Sequence, residues 1–193
     1  MAGRTRGLFG GTFDPPHAGH VAAVRATLAD AALDELVVTV AADPWLKGDP
    51  PSAPGWARLA MAEAAFSSID RVVVSDLELR RGGPTYTIDT VEALLAEAPG
   101  DRIVVVLGAD AAASLGSWHR AGDLAALVEI AVVPRPGVEA TPPEEFSAHM
   151  VLMEEVDLSS TSVRAALERG EDPRGLLPEA VVRLVLAHRL YAP

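Results

Sequence analysis

The sequence predicts an α/β fold: a doubly wound parallel sheet with helices on both faces and a small helical part at the C-terminal end. Apolar runs of strand length alternate with stretches of helix length from the first residues onward, which is typical of βαβ units. Residues 36–41 and 102–107 are apolar almost throughout, as expected for parallel strands covered on both faces. Gly- and Pro-rich segments follow the candidate strands, so we expect the loops at the carboxyl ends to line one crevice.

The length and composition are those of one ordinary domain. We expect a single domain over residues 1–193, with a helical subregion from about 157 to 193. The apolar fraction is 49%, but no run approaches the ~18–20 apolar residues of a membrane span. Cysteine is absent, which excludes disulfides, thiolate metal sites and a cysteine nucleophile. The first residues lead straight into a strand and leave no room for a signal peptide, so we expect a cytoplasmic protein.

The chain is strongly acidic. A formal net charge of −11 argues against nucleic acid or an anionic membrane surface as a partner. Any phosphate pocket on such a body has to be a local cluster of positive groups and backbone amides. Apolar surface residues cannot be told from core residues by pattern, so the oligomeric state stays open, with a homo-oligomer as one outcome.

The first predicted strand, residues 7–9, runs into a Gly-Gly pair at which the backbone can turn sharply and approach a ligand. Two prolines then delay the first helix, whose apolar positions share one face over residues 21–32. His17 and His20 therefore stand just before this helix opens. The free N–H groups and the positive dipole end at a helix start form a site for anions.

The remaining elements alternate in the same way. Strand 36–41 is followed by a proline-rich loop at 43–54, a helix at 56–66 and a third strand at 71–74. Further predicted elements are a loop at 80–86, a helix at 88–96, a strand at 102–107, a short helix after it, a helix around 124–127, a strand at 129–133, a proline-rich loop at 134–143, a candidate strand at 151–156 and a helix opening at 158–164.

The two histidines indicate a bound anion. Local helix energetics favour Asp or Glu in a first turn, so two imidazoles there suggest that a negative group lies between them and the backbone amides. A phosphate chain fits this position. A zinc ion fits less well, because a stable zinc site needs three or four ligands and the neighbouring sequence offers neither Cys nor a third His.

A second candidate phosphate site opens the helix predicted at 158–164. Its Ser and Thr residues can cap the helix, and their hydroxyls also bind phosphate oxygens. Arg164 follows in the predicted first turn, where a cation is unfavourable unless it meets an anion. Alone, this pattern is equally that of an ordinary cap followed by a surface arginine.

The P-loop and dinucleotide-binding fingerprints are both absent from the sequence.

These segments resemble a known superfamily. Residues 10–20, GGTFDPPHAGH, resemble the signature of the T/H-x-G-H (HIGH) nucleotidyltransferases, which have a Rossmann-like fold, and residues 158–164 resemble their I-S-S-T-x-x-R motif. Residues 82–90, GGPTYTIDT, resemble the G-x-T-Y-T-x-D-T segment of the bacterial nicotinate mononucleotide adenylyltransferases. Residues 108–110, with Trp118 downstream, resemble the G-x-D…W segment of that family.

The resemblance implies that AMP is transferred from ATP to nicotinate mononucleotide, giving deamido-NAD and pyrophosphate, by in-line displacement at the α-phosphorus. It implies that Mg²⁺ is carried mainly by the ATP phosphates, with no metal ligands from the protein. The implied catalytic residues are His17, His20 and Arg164. The implied ATP-binding residues are Gly10, Gly11, Thr12, Phe13, His17, His20, Gly108, Asp110, Arg135, Ser159, Ser160, Thr161 and Arg164.

The implied residues for nicotinate mononucleotide are Asp14, Lys47, Thr85, Tyr86, Asp110 and Trp118. Trp118 would offer a flat face to the pyridine ring, although a tryptophan at this position can equally belong to the core. Lys47 would meet the mononucleotide phosphate as a point charge. The loop before Lys47 departs from the family pattern, because Trp45-Leu46 stands where Pro-His is common, and this leaves its role open.

The residues themselves leave the acceptor open. Nicotinamide mononucleotide differs from the nicotinate form only by an amide in place of a carboxylate, and phosphopantetheine is a further acceptor within the superfamily. A regulator that binds nucleotide without turnover would keep the same pocket. The GGPTYT segment and Trp118 favour the nicotinate mononucleotide family over these alternatives.

Overall fold

In the computed structural model, which describes residues 3–43, 50–139 and 141–192, six strands form one parallel sheet. The order across the sheet is β3-β2-β1-β4-β5-β6, and every neighbouring pair is parallel. This is the order of a doubly wound sheet, with its switch point between β1 and β4. The predicted fold class is confirmed. The strands are β1 (Thr5–Gly11), β2 (Glu35–Val40), β3 (Val72–Ser75), β4 (Arg102–Gly108), β5 (Val128–Val133) and β6 (Ala148–Met150).

Helices connect the strands and cover both faces of the sheet. They are α1 (Ala18–Asp30), α2 (Gly55–Phe66), α3 (Leu77–Arg81), α4 (Thr87–Glu97), α5 (Ala109–Ala113), α6 (Ala121–Ala125), α7 (Ser160–Glu168) and α8 (Glu179–Ala187), with one 3-10 turn at Leu115–Ser117. The last two helices fall within the predicted C-terminal helical subregion. Within the described parts of the chain, no helix is long and apolar enough to cross a membrane.

The strands β1, β4 and β5 contribute side chains to two hydrophobic cores. On β4, Val104 and Val106 face a cluster shared with α1, α2, α7 and α8. Val105 and Leu107 face a second cluster that includes residues of α4, α5 and α6. Since successive side chains of a strand point to opposite faces, burial on both faces requires an uninterrupted apolar run. This is why the central strands read as apolar throughout.

Two predicted elements need correction. The predicted loop at 80–86 begins too early, because α3 continues to Arg81 and only then does Gly82 turn the chain. A helix of five residues is too short to show a helical period. The predicted strand at 151–156 is wrong, because the edge strand lies at Ala148–Met150, where all three residues are exposed. Val151 donates one further backbone bond, to Val132 at 2.8 Å, and there the ladder ends.

Candidate active site

The Gly-Gly segment lies at the centre of the sheet, at the carboxyl end of β1. His17 is the N-cap residue of α1, and its backbone N–H donates to Nδ1 of His20 at 3.1 Å. The two imidazole rings lie 3.8 Å apart, centroid to centroid. Because Nδ1 of His20 accepts this bond, that ring is the neutral tautomer that carries its proton on Nε2. The start of α1 therefore combines backbone amides with an imidazole whose donor is Nε2–H.

Phe13 gives this loop its shape. The residue has a φ of 49°, in the left-handed region that is unusual for a bulky side chain, and its ring is buried. The ring packs edge-on against His20, with centroids 5.2 Å apart, and against Phe66 at 5.5 Å. A Cβ on Gly11 would lie 2.7 Å from the same ring, so glycine is required there. The Phe13 side chain thus forms the wall behind His20.

A buried arginine holds the loop from below. Arg58 of α2 is only 2% exposed and donates to the carbonyls of Thr12 at 2.9 Å and Ala41 at 2.7 Å. Burial lowers the pKa of Arg58, with the Asp14 carboxylate acting in the opposite direction. These bonds join the ends of β1 and β2 and fix where the loop leaves the sheet.

Asp14 is a buried anchor of the loop rather than an open side chain. Its carboxylate accepts bonds from the backbone N–H groups of Ser52 at 2.7 Å and Ala53 at 3.0 Å. It also accepts from the hydroxyl of Tyr191 at 2.7 Å. Both carboxylate oxygens therefore have protein donors, and the carboxylate of this predicted acceptor residue is already engaged.

The second predicted phosphate segment meets the first. The hydroxyl of Ser159 caps α7 by accepting from the backbone N–H of Ser162 at 3.1 Å. Ser160 donates to the carbonyl of Pro15 at 2.9 Å, across 145 positions of sequence. The carbonyl of Asp14 accepts from Arg164 at 2.8 Å. These contacts join two segments that are far apart in the sequence.

Arg164 lies one turn later than predicted. It is the fifth residue of α7, which starts at Ser160, and is not in the first turn. Its side chain reaches back towards the start of the helix, as helical side chains do, and Nη2 lies 3.4 Å from Oγ1 of Thr161. The guanidinium is partly exposed. The carboxyl end of β1 thus brings together this cation, the starts of α1 and α7, and two imidazoles.

The switch point carries the next group of predicted residues. Gly108 ends β4 and is the N-cap residue of α5, and Asp110 follows in that helix. Asp110 forms an ion pair with Arg135, which comes just after β5. A Cβ on Gly108 would meet only the Arg135 side chain, at 3.8 Å. The backbone at Gly108 thus borders an open crevice.

The predicted acceptor residue Thr85 lies beside the loop after β2, across β1 from Gly108. The hydroxyl of Thr85 accepts from the backbone N–H groups of Ala42 at 3.1 Å and Asp43 at 3.3 Å. It thereby ties the segment before α4 to the loop after β2. Lys47 lies outside the described residues, so its predicted role stays a prediction.

The aromatic residues of this side are arranged differently from the predicted platform. Tyr86 stacks on His119, with ring centroids 4.2 Å apart and planes at 28°. Trp118 is only 9% exposed, belongs to the second core, and donates from Nε1 to Ser114 at 3.1 Å. The more accessible rings are therefore those of Tyr86 and His119.

Sequence patterns do not single out three residues that shape the site, Arg58, His119 and Tyr191, nor the buried Glu78 of α3. Arg58 had a usable signal, because it falls in phase with the apolar stripe of α2, where an unpaired charge is costly. Glu78 lies on a five-residue helix, and Tyr191 follows the last helix, so neither has a periodic pattern around it. The only sequence signal for His119 was its position beside Trp118.

Comparison with known proteins identifies the family. Residues 8–166 match the family model for cytidylyltransferase-like proteins. The chain belongs to the cytidylyltransferase-like family. Curated relatives named probable nicotinate-nucleotide adenylyltransferase share its full length. That of Bordetella petrii is 38% identical over 194 residues, covering 96% of this chain and 97% of the relative. That of Pseudomonas aeruginosa strain PAO1 is 35% identical over 210 residues, covering 98% of each.

Solved structures in this family share the fold. The nicotinic acid mononucleotide adenylyltransferase of Plasmodium falciparum, solved in complex with NaAD, superposes with a TM-score of 0.78 at 19% identity. The alignment covers 97% of each chain. A putative nicotinate-nucleotide adenylyltransferase from Vibrio parahaemolyticus superposes with a TM-score of 0.71 at 20% identity. The resemblance found in the sequence to nicotinate mononucleotide adenylyltransferases is confirmed, and the chain is a nucleotidyltransferase.

Proposed function

We propose that this chain transfers AMP from ATP to nicotinate mononucleotide, giving deamido-NAD and pyrophosphate, in NAD biosynthesis. The observation that carries the proposal is the convergence of two helix starts, His17, His20 and Arg164 at the carboxyl end of β1. The names of relatives that are 35–38% identical over the full length support the choice of acceptor.

The chemistry needs positioning and charge stabilisation rather than a strong base. The phosphate of nicotinate mononucleotide is already an anion near neutral pH, so it attacks the α-phosphorus without losing a proton to the protein. His17 and His20 bind the ATP phosphates, and His20 donates from Nε2 to the charge that develops in the transition state. Arg164 steadies the pyrophosphate as it leaves.

The remaining ATP contacts follow from the switch point and from α7. Backbone groups at Gly10, Gly11 and Gly108 allow close approach of the nucleotide, and Asp110 accepts from a ribose hydroxyl. The start of α7 offers its backbone amides and the hydroxyls of its Ser and Thr residues to the β- and γ-phosphates. Although the protein as a whole is acidic, this site would thus present a local cluster of positive groups to a polyphosphate.

The acceptor occupies the side of the crevice bordered by Thr85 and Tyr86. Tyr86 packs against the core cluster that contains Trp118, and it stacks on His119. The pyridine ring lies against these aromatic side chains, while backbone N–H groups near Thr85 receive its carboxylate. Lys47 is proposed to meet the mononucleotide phosphate.

Mg²⁺ is proposed to arrive on the ATP phosphates. The described residues contain no group of three or more His, Asp or Glu side chains that could hold a metal ion. Phosphate oxygens and water would therefore supply most ligands, as Mg²⁺ prefers, and the ion would neutralise the charge that develops on pyrophosphate. A cytoplasmic location, a homo-oligomeric assembly and the lack of a nucleic-acid partner stay predictions from the sequence.

Pyrophosphate release from ATP and Mg²⁺ tests the proposal, with nicotinate and nicotinamide mononucleotides compared as acceptors in parallel. We expect kcat/KM to favour the nicotinate form by about 10²-fold or more, which corresponds to about 3 kcal/mol of discrimination. Comparable rates would show that the site does not distinguish the carboxylate from the amide. Release with neither acceptor would overturn the proposal, and phosphopantetheine would then be the acceptor to assay.

A further inference from the structure

The C-terminal end of the chain reaches the catalytic loop. The hydroxyl of Tyr191 donates to Oδ1 of Asp14 at 2.7 Å, across 177 positions of sequence. Tyr191 has a φ of 62°, in the left-handed region. A bulky side chain adopts this conformation only where its surroundings fix it. The contact thus joins the segment after α8 to the loop between β1 and α1.

Asp14 is a buried residue of the loop between β1 and α1. Its side chain is 5% exposed, and a carboxylate buried to this degree requires several donors. Oδ2 accepts from the backbone N–H of Ser52, and Oδ1 accepts from Ala53 and Tyr191. Without the tyrosine hydroxyl, Oδ1 would keep a single donor.

The nearest cation that could compensate is Arg164. Its Nη1 atom lies 3.9 Å from Oδ2 of Asp14, while the same atom donates to the Asp14 carbonyl at 2.8 Å. An undersatisfied carboxylate would draw this guanidinium inwards, because charges interact strongly where water is excluded. The movement would take Arg164 away from the mouth of the crevice.

We propose that Tyr191 is a positioning residue for adenylyl transfer. Its hydroxyl saturates Asp14, which leaves Arg164 directed at the polyphosphate and fixes the loop that carries His17 and His20. Burial and the bond to Asp14 raise the pKa of Tyr191 above its ordinary value, so the hydroxyl stays a donor at all ordinary assay pH values. The inference rests on the proposed function, because it concerns residues assigned there to the ATP phosphates.

The test compares Tyr191→Phe with Leu190→Ala. The first change removes only the hydroxyl. The second removes packing from the adjacent residue, which lies against the core and whose aliphatic side chain cannot donate a hydrogen bond to Asp14. We expect Tyr191→Phe to lower kcat/KM for ATP about tenfold, through a higher KM for ATP and a lower kcat, with KM for nicotinate mononucleotide unchanged. Leu190→Ala should lower the melting temperature and leave the kinetic constants of the folded enzyme unchanged.

A second measurement does not depend on activity. The imidazole NMR resonances of His17 and His20 should shift in Tyr191→Phe without substrate and stay in place in Leu190→Ala, with His149 on β6 as an internal reference. If Tyr191→Phe changes only the melting temperature, as Leu190→Ala does, Tyr191 is merely structural and the proposal is overturned. If the wild type releases no pyrophosphate, the proposed function fails, and the imidazole resonances still decide whether Tyr191 positions the loop.

Discussion

At the scale of single residues, His20 has two functions in one ring. Nδ1 accepts the backbone N–H of His17 and thereby helps to start α1, and the proposed second function is donation from Nε2–H to a phosphate. We predict that His20→Ala lowers kcat for pyrophosphate release by on the order of 10²–10³, as expected for the loss of an electrostatic donor to the transition state. Steady-state kinetics with saturating ATP and nicotinate mononucleotide measure this.

The matched control is His149→Ala, which removes an imidazole from the exposed edge strand. It should leave kcat unchanged. Circular dichroism of both variants should show that α1 and the sheet persist. A His20→Ala enzyme with nearly wild-type kcat would remove His20 from the mechanism.

Glu78 gives a prediction about stability and pH. Glu78 is 4% exposed, and burial raises the pKa of its carboxyl above the ordinary 4.5. The hydrogen bond that it accepts from the Thr90 hydroxyl at 2.8 Å lowers the pKa, but this effect is smaller. Below the ordinary value, both the folded and the unfolded chain hold the proton. As pH rises above it, the unfolded chain loses the proton first, so the wild type loses stability until the folded carboxyl has also ionised.

Glu78→Gln should therefore be more stable than the wild type at pH 8, and the difference should shrink towards pH 4. Urea unfolding at pH 4, 6 and 8 measures the free energy of unfolding of both proteins. Glu155→Gln, at an exposed position, should show no such trend. A constant difference between Glu78→Gln and the wild type across this range would show that burial of the Glu78 charge costs nothing.

Sequence could identify the residues whose position along the chain is itself unusual. His17 and His20 stand out because imidazoles oppose the usual charge preference of a helix start. Asp14 and Tyr191 do not stand out, because their contact spans 177 positions and follows no periodic pattern. Trp118 does stand out in sequence, but its role does not follow from that. A tryptophan near a binding motif looks the same in sequence whether its ring lines a pocket or a core.

At the scale of elements, helix capping at the start of α7 can be tested separately from the proposed phosphate binding. Ser159 caps the helix through its hydroxyl, and Asp or Asn at this position would cap equally well. We predict that Ser159→Asp and Ser159→Asn keep the wild-type free energy of unfolding, whereas Ser159→Ala loses about 1 kcal/mol. Ser159→Asp alone should raise KM for ATP about tenfold or more, because its carboxylate repels the phosphates.

Chemical denaturation and ATP titration of the three variants measure the two effects separately. Ser159→Asn is the matched control, because it differs from Ser159→Asp only in charge. Equal KM values for these two variants would place the ATP phosphates away from the start of α7.

Element boundaries were predictable only where a pattern was long enough. The helix and strand cores agree because burial on one or two faces imposes a period on the sequence. The start of α1 at Ala18, three residues before the predicted start, depends instead on the bond between the His17 amide and His20. The edge strand β6 was misplaced because its exposed residues carry no apolar signal.

At the scale of the whole molecule, the doubly wound sheet was predictable because its central strands are apolar on both faces. Strand order then places the ends of β1 and β4 side by side, and it brings loops from distant parts of the chain to one crevice. Topology does not specify which partners each side chain contacts in that crevice. The pairing of Asp110 with Arg135 depends on the conformation of the segment after β5, which no sequence period specifies.

The switch point itself can be tested with two glycines of the central strands. A Cβ on Gly108 would point into the crevice with only Arg135 nearby, whereas a Cβ on Gly7 would lie 2.4 Å from the buried Leu36 side chain. We predict that Gly108→Ala changes the free energy of unfolding by less than about 1 kcal/mol but raises KM for ATP about tenfold. Gly7→Ala should lose about 1–3 kcal/mol through overpacking and keep its KM. Denaturation and ATP kinetics measure both, and unimpaired ATP binding by Gly108→Ala would place the nucleotide elsewhere.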